Sequence, residues 1–506
     1  MSKIRQRRLQ DDTSAQHITV RSRTLQQPRR LKKVFVFLIV LALCVTYFLG
    51  MLAGQTQWFD GLAKSLGYES TYHYAVVVDA GSSGSRVLAY KFRVPFTVFG
   101  QANLDLVDEF FEQSKPGLSS FADDPEKGAQ TIVSLIRAAD GMTPAARRRD
   151  TPLLVRATAG LRLLPAAQAA ALLAAVSRAV EQLGYDVVDG VRVMSGADEG
   201  IFIWYTVNLL HYLIGSGQTM AALDLGGGST QVTYEVRASD AARLPRADLH
   251  VVPAGENVTL YTHSYLKMGL LAARLGVFQL EAAEEAGERG AGGEGGAHNA
   301  SELRSACVDP IVQREPWLYN NKYYYISGRP RAEGTKRAAA YALCHRAVRR
   351  YVTGVLRPAP PSPAAPAAPA AHPAHPAPPP PPRPPVAAMS YFYDVAADAG
   401  LIDVMRGGAV PVGSFRAAAE RACSAANVEQ PWACADLALV AALLADGYSL
   451  PDHEPISLFR KVNGHEVSWA LGLAYTTVMN RLAAAAAPHH DAPQRDAPQR
   501  AAPHAA

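Results

Sequence analysis

Two short stretches hold the residue types that phosphate chemistry needs. Tyr74 to Phe92 reads YAVVVDAGSSGSRVLAYKF, and Met220 to Val236 reads MAALDLGGGSTQVTYEV. In each, an apolar strand ends on an aspartate, Asp79 or Asp224, a Gly/Ser turn follows, and a second strand leaves. Such a turn gathers several backbone N–H groups, and glycine removes the Cβ that would hold an anion away. An aspartate at the end of the incoming strand gains nothing by touching a phosphate but can hold water around a divalent cation. Two facing turns would grip a polyphosphate from both sides, with Asp79 and Asp224 orienting one metal between them. One copy alone would read equally well as an ordinary hairpin. The second copy, with its own Asp, Gly and Ser, argues against that.

Between the copies lies VRATAGLRLLP, from Val155 to Pro165, where strand-like residues run into Ala-Thr-Ala-Gly-Leu-Arg. Then comes MSGADEGIFIWYTVN, with Glu199 close to a helix start expected near Asp198. At a helix N-terminus the dipole favours the charged carboxylate and so its use as a proton acceptor. The plainer alternative is a helix-start charge with no part in chemistry.

The elements that must carry these groups alternate between strand and helix, which argues for an α/β body beginning near Tyr72. Pro165 to Gly184 reads as a helix opened by Pro and closed by Gly, and a strand is expected to end at Met194. A chain of 506 residues is long enough for two lobes with appendages. Three stretches stand apart by composition: a Glu/Gly/Ala-rich surface loop over 279–298, a Pro/Ala-rich excursion over 357–385, and a disordered tail over 487–506. Residues 1–33 hold ten Lys/Arg against Asp11 and Asp12, a local +8 within a total of +5, so the rest is slightly acidic and nucleic-acid binding loses its electrostatic support.

Residues 34–54 form an uncharged apolar run, long enough as a helix to cross a bilayer. Arg29, Arg30, Lys32 and Lys33 abut its start, which keeps the N-terminus cytosolic and puts a stem (55–71) and everything beyond on the lumenal or outer side. Asn257-Val-Thr and Asn299-Ala-Ser are glycan acceptor triplets suited to that side. So are four cysteines outside the span, Cys307, Cys344, Cys423 and Cys434, an even number without C-x-x-C spacing.

Five blocks in order, DAGSSGSR, ATAGLR, SGADEG, DLGGGSTQ and VNGHEVSWALG (Val462 to Gly472), resemble the apyrase and guanosine diphosphatase family of nucleoside tri- and diphosphate hydrolases. Secondary matches at Tyr261 (YTHSYLKMGLLAARL) and Ser390 (SYFYDVAADAGLID) look most like the Golgi-type diphosphatases. The resemblance implies two ribonuclease-H-like lobes of the actin-like fold with substrate in the cleft between them: lobe I over 72–197 plus about 466–486, and lobe II over 198–465. It makes Glu199 the general base, with Ser229 and Gln231 holding the attacking water. Asp79, Thr158, Asp224 and Trp469 would surround the water shell of Mg²⁺ or Ca²⁺. Ser82, Ser83, Gly84, Gly226, Gly227 and Gly228 would line the phosphates. Arg86 and Arg162 match as phosphate ligands or as braces of their own loops. Tyr391 and Tyr393 either stack on a nucleobase or pack in the core. The family's disulfides suggest Cys307 with Cys344 and Cys423 with Cys434. The implied activity is lumenal hydrolysis of GDP or UDP in the Golgi by direct water attack. A broader apyrase, an exopolyphosphatase, and a type II membrane scaffold without catalysis are the alternatives.

Overall fold

The computed structural model describes residues 29–52, 71–94, 104–290, 301–330, 337–356 and 384–486. The chain falls into two compact units, Met1–Gly67 and Tyr68–Ala506. In the first, a helix spans Arg29–Leu52 and exposes its apolar side chains, Val34, Phe35 and Phe37 among them. The side chains described there cover 33–46 and 48, and among the described residues no helix is long and apolar enough to cross a membrane. The expected stem, apart from Thr71, and the expected tail lie outside the described residues, as do 357–383 of the Pro/Ala stretch.

The second unit is built on two large sheets. Strands β1 (Tyr72–Ala80), β2 (Ser85–Arg93), β3 (Asp105–Ser114), β4 (Pro152–Ala157), β5 (Asp186–Val187) and β6 (Arg192–Val193) form the first, in the order β3-β2-β1-β4-β5, with β6 also on β4. β1 runs antiparallel to β2 and parallel to β4. Its Val76-Val77-Val78 run is buried on both faces, which is why it is continuous rather than alternating. Val76 and Val78 pack under helices Pro125–Ala138 and Ala166–Val180. Gly184 ends the latter region in the left-handed conformation, at φ 76°, after one 3-10 turn.

The second sheet uses β7 (Ala221–Leu225), β8 (Ser229–Glu235), β9 (Leu249–Ala254) and β10 (Glu256–Leu266). After a small sheet of β11 (Glu302–Ser305), β12 (Glu315–Tyr319) and β13 (Lys322–Gly328), it adds β14 (Val386–Ser390), β15 (Gly408–Pro411) and β16 (Pro455–Leu458). Its order is β15-β16-β14-β7-β8-β10-β9. Helices Gly196–Leu210 and Trp469–Ala486 pack together, the former on β8 and β10 and the latter on β1. One hydrophobic cluster accordingly joins Val77 and Leu88 of the first sheet, Trp204 and Leu471 of these helices, and Ala222 and Met389 of the second sheet.

The stretch expected to be a loop from 279 is instead helical to its last described residue, within Leu270–Gly290. Its Glu/Ala content is strongly helix-forming. Glu281 is buried there and accepts from the Ala306 backbone and the Ser305 hydroxyl, while Glu284 pairs with Arg350 and Glu285 with Arg329. Both suggested disulfides, Cys307–Cys344 and Cys423–Cys434, are formed.

Helix Gly196–Leu210 starts two residues before the expected position because Ser195 caps it, its Oγ accepting from the Asp198 N–H at 3.0 Å. Gly196 and Gly200, one turn apart, let it lie almost directly on β8 and β10. A Cβ at Gly200 would overlap the hydroxyls of Thr262 and Thr233, which are bonded to each other at 2.7 Å. Gly200→Ala is therefore expected to lower the unfolding free energy by roughly 1–3 kcal/mol, the usual cost of overpacking. Chemical denaturation reads this directly; an unchanged midpoint would mean that the helix is not held so closely.

Candidate active site

The two Gly/Ser turns fold alike in detail. Asp79 lies opposite Arg86 across β1 and β2, and Asp224 lies opposite Gln231 across β7 and β8. Gly81 N–H donates to Gly84 O at 3.1 Å, and Gly226 N–H donates to Ser229 O at 3.0 Å, so one hydrogen bond closes each turn at the same distance from its aspartate. In the second turn the carbonyls of Gly226, Gly227 and Gly228 accept from the backbone N–H groups of Leu270, Leu271, Ala272 and Lys267. Because trans peptides are planar, the amides of Gly227, Gly228 and Ser229 then point away from that helix start. The turns also meet: a Cβ on Gly227 would stand 2.6 Å from Ser82 Oγ and 3.7 Å from Ser83 Cβ.

Around this meeting point is a cavity of about 400 Å³. Asp79, Ser82, Ser83, Arg86, Thr158 and Glu199 line it from one side of the sequence. Asp224, Gly226, Gly227, Gly228, Ser229, Tyr391, Tyr393 and Trp469 line it from the other. Three expected site residues stand behind the wall. Gly84 backs onto Gln113 and Ser114. Gln231 is fully buried, with its Nε2 3.0 Å from Glu199 Oε2, 2.8 Å from Ser229 Oγ and 2.8 Å from Ser264 Oγ. Arg162, read as a phosphate ligand or a brace, is ion-paired with Glu199 Oε2 and braces it. Both donors to Glu199 fall on Oε2, and Glu199 itself lines the cavity.

The charge state of Glu199 departs from the sequence expectation. It sits in the first turn of its helix, yet it is buried, and burial pushes its carboxyl up to about 8; the neighbouring Asp224 and Asp79 push the same way against the lowering by Arg162. Desolvation outweighs the helix dipole here, whose effect on a side chain is confined to the first turn and modest. Asp79 is raised to about 6, chiefly by burial and further by Asp224, despite Arg86 at 3.3 Å. Asp224 is raised by burial, against the Ser390 hydroxyl and Arg86. Asp79 Oδ1 is buried without a hydrogen-bond partner. A divalent cation fits this set: hard carboxylate oxygens, one of them orphaned, repelling one another across the point where the two turns meet.

Sequence reasoning passed over Ser390, whose Oγ donates to Asp224 Oδ1 at 2.6 Å, and Ser264, which touches Gln231 and stands 3.5 Å from Arg162 Nη1. Both lie inside secondary motif blocks, YTHSYLKMG and SYFYD, so the signal was the block and not the residue. Tyr393 is a core residue as well as a lining one: buried, it donates to Val404 O at 2.8 Å, and the Arg460 guanidinium lies 5.1 Å from its ring centroid. Tyr391 is half-buried beside Ser83. Asn257 is exposed on β10, and Asn299 lies outside the described residues.

The family described as GDA1/CD39 (nucleoside phosphatase) matches residues 66–402. The chain is 31% identical to nucleoside-diphosphatase uda-1 of Caenorhabditis elegans, over 86% of this chain and 88% of that protein. It is 34% identical to nucleoside diphosphate phosphatase ENTPD5 of Homo sapiens, over 87% of this chain and 96% of that one. Among solved structures, the nucleoside triphosphate hydrolases of Neospora caninum share the two-lobed mixed α/β fold, with a TM-score of 0.55 at 15% identity over 85% of this chain and 96% of theirs.

The carboxylate shifts have a measurable sign. A raised carboxyl binds its proton more tightly folded than unfolded, so stability is fully present below the ordinary value, 4.5 for glutamate, and is lost as pH rises towards about 8. In chelator, the thermal midpoint is expected to fall between about pH 5 and 8, and saturating Mg²⁺ or Ca²⁺ should remove most of that fall. Glu199→Gln should flatten the chelator curve; an unaltered slope in that variant would remove Glu199 from the account.

Proposed function

Since the chain belongs to the GDA1/CD39 (nucleoside phosphatase) family, we propose that it hydrolyses the terminal phosphate of nucleoside diphosphates, with GDP and UDP as substrates. The observation that carries this reading is the meeting of the two turns beside three buried carboxylates on one cavity. The names of the two relatives support a diphosphate substrate. The lobe boundaries given by the sequence, 72–197 plus 466–486 and 198–465, and the actin-like pairing of the lobes belong to the same reading.

In this mechanism the amides of Gly227 and Gly228 and the Ser82–Ser83 turn receive the phosphoryl oxygens, and Arg86, on the cavity wall, adds positive charge there. Asp79, Asp224, Thr158 and Trp469 would hold Mg²⁺ or Ca²⁺ through water, and the bound ion supplies positive charge to the phosphate chain. Ser229, on the cavity wall, holds the attacking water beside Glu199, while Gln231, expected to share that role, stands behind the wall and fixes Glu199 and the Ser229 hydroxyl. Glu199 takes the water's proton as oxygen attacks the terminal phosphorus; the bond to the bridging oxygen breaks, and orthophosphate and a nucleoside monophosphate leave. Arg162 stabilises the ionised form of Glu199 against its burial.

We place the protein in the Golgi membrane as a single-pass type II chain with residues beyond 55 lumenal. The apolar run 34–54 behind its basic flank, the two disulfides and the exposed acceptor Asn257 support this. Sealed membranes should protect the body from protease and leave an N-terminal tag exposed; the reverse pattern would overturn the orientation.

For the activity, phosphate release by the full chain in detergent should be compared across GDP, UDP, ADP, ATP and polyphosphate, with and without chelator. Release from GDP and UDP that chelator abolishes is the expected result. Equal or faster release from ATP would make it a broad apyrase. Glu199→Gln should lower kcat by about 10²- to 10⁴-fold with KM little changed, and a near-normal kcat would refute the base.

A further inference from the structure

Asp79 and Asp224 occupy equivalent places, but their partners differ. Asp79 has Arg86 across the hairpin, paired to its Oδ2. At the matching position Asp224 has Gln231, whose amide is turned to Glu199, Ser229 and Ser264 instead. The side-chain partner of Asp224 is the hydroxyl of Ser390, which donates to Oδ1 at 2.6 Å.

Ser390 reaches it by an unusual route. In the parallel pairing of β14 with β7, Met389 stands opposite Asp224 and Ser390 opposite Leu225. Side chains alternate along a strand, so an extended Ser390 would face away from Asp224. Its backbone instead has φ 57° and ψ −127°, a conformation that favours glycine and strains a serine. Turning φ by nearly half a revolution carries the Cβ from one face to the other, and the hydroxyl meets the carboxylate. The strain and the hydrogen bond have one geometric origin.

We propose that Ser390 is a positioning residue for the divalent cation: its left-handed backbone is retained to aim a neutral donor at Asp224 Oδ1, which fixes the carboxylate and leaves Oδ2 to the ion's water shell. A hydroxyl orients Asp224 without cancelling its charge, whereas Arg86 partly cancels that of Asp79. The proposal rests on the cation reading above.

Two variants separate a positioning role from a structural one. Ser390→Gly removes the hydroxyl and also relieves the backbone; Ser390→Ala removes the hydroxyl and keeps the strain. The readout is the thermal midpoint of the full chain in chelator, followed by its rise on titration with Mg²⁺ or Ca²⁺ alone. In chelator, Ser390→Gly should melt at or above the wild-type temperature and Ser390→Ala below Ser390→Gly. In both, the metal concentration that gives half of the full rise should increase by about 10-fold or more, the usual effect of losing a partner of a metal-site carboxylate. A wild-type metal response with unchanged half-saturation in the variants would overturn the positioning role alone. No metal response in the wild type would overturn the cation reading and the positioning role together.

Discussion

The site depends on a shortage of positive charge. Asp79, Asp224 and Glu199 are all buried, and the chain brings two guanidiniums to them, Arg86 to Asp79 and Arg162 to Glu199. An unpaired buried carboxylate is expensive, and it either protonates or finds a cation. On the same cavity the two turns present glycine backbone where an anion could approach. The acids call for a positive group and the turns for a negative one. A phosphate chain carrying its own divalent ion answers both, and neither part would fit as well alone.

That arrangement sets demands on the rest of the molecule. Two strand-turn-strand units must approach until Gly227 stands against the Ser82 hydroxyl, while the second turn also packs Gly228 on Ala159 and its own backbone on Gly269. The helix bearing Glu199 must come close to β8 and β10, and Gly196 and Gly200 allow it. Trp469 then enters the cavity wall because its helix packs on Gly196–Leu210; Gly472 permits that contact at Phe202 O. The small residues near the site are consequences of these approaches more than of turn conformation.

What could be read from the chain in advance was what repeats or follows local rules. The twin turns, their aspartates and the glutamate near a helix start are patterns of residue type and spacing, and the structure gathers them on one cavity. What could not be read depends on contacts distant in sequence. Glu199 looked like a charge favoured by its helix, but the layer between the sheets buries it and reverses the direction of its shift. Arg162 reads as a phosphate ligand or a brace of its own loop, and only the position of the later helix shows it turned to Glu199. Glycine and charge suggest a loop over 279–298, but the carboxylates of its helical part are matched by Ser305, Arg329 and Arg350, none of them nearby in sequence.

The duplication reaches beyond the hairpins, and its imperfections divide the labour. Each aspartate strand also has a parallel neighbour: Ala80 pairs with Ala157 of β4, and Leu225 pairs with Ser390 of β14. After each neighbour the chain turns into a helix, Ala159–Arg162 following Thr158 in one case and Tyr391–Asp398 in the other. Thr158 and Tyr391 are thus equivalent, and both line the cavity. One position earlier, Ala157 is an ordinary strand residue, while Ser390 is bent out of strand geometry toward Asp224. Arg86 and Gln231 are equivalent too, one turned to its own aspartate and the other to Glu199. Freeing Gln231 for Glu199 leaves Asp224 without its hairpin partner, and the hydroxyl from β14 fills that place. The symmetry supplies two turns, and the exchange of partners ties one of them to Glu199.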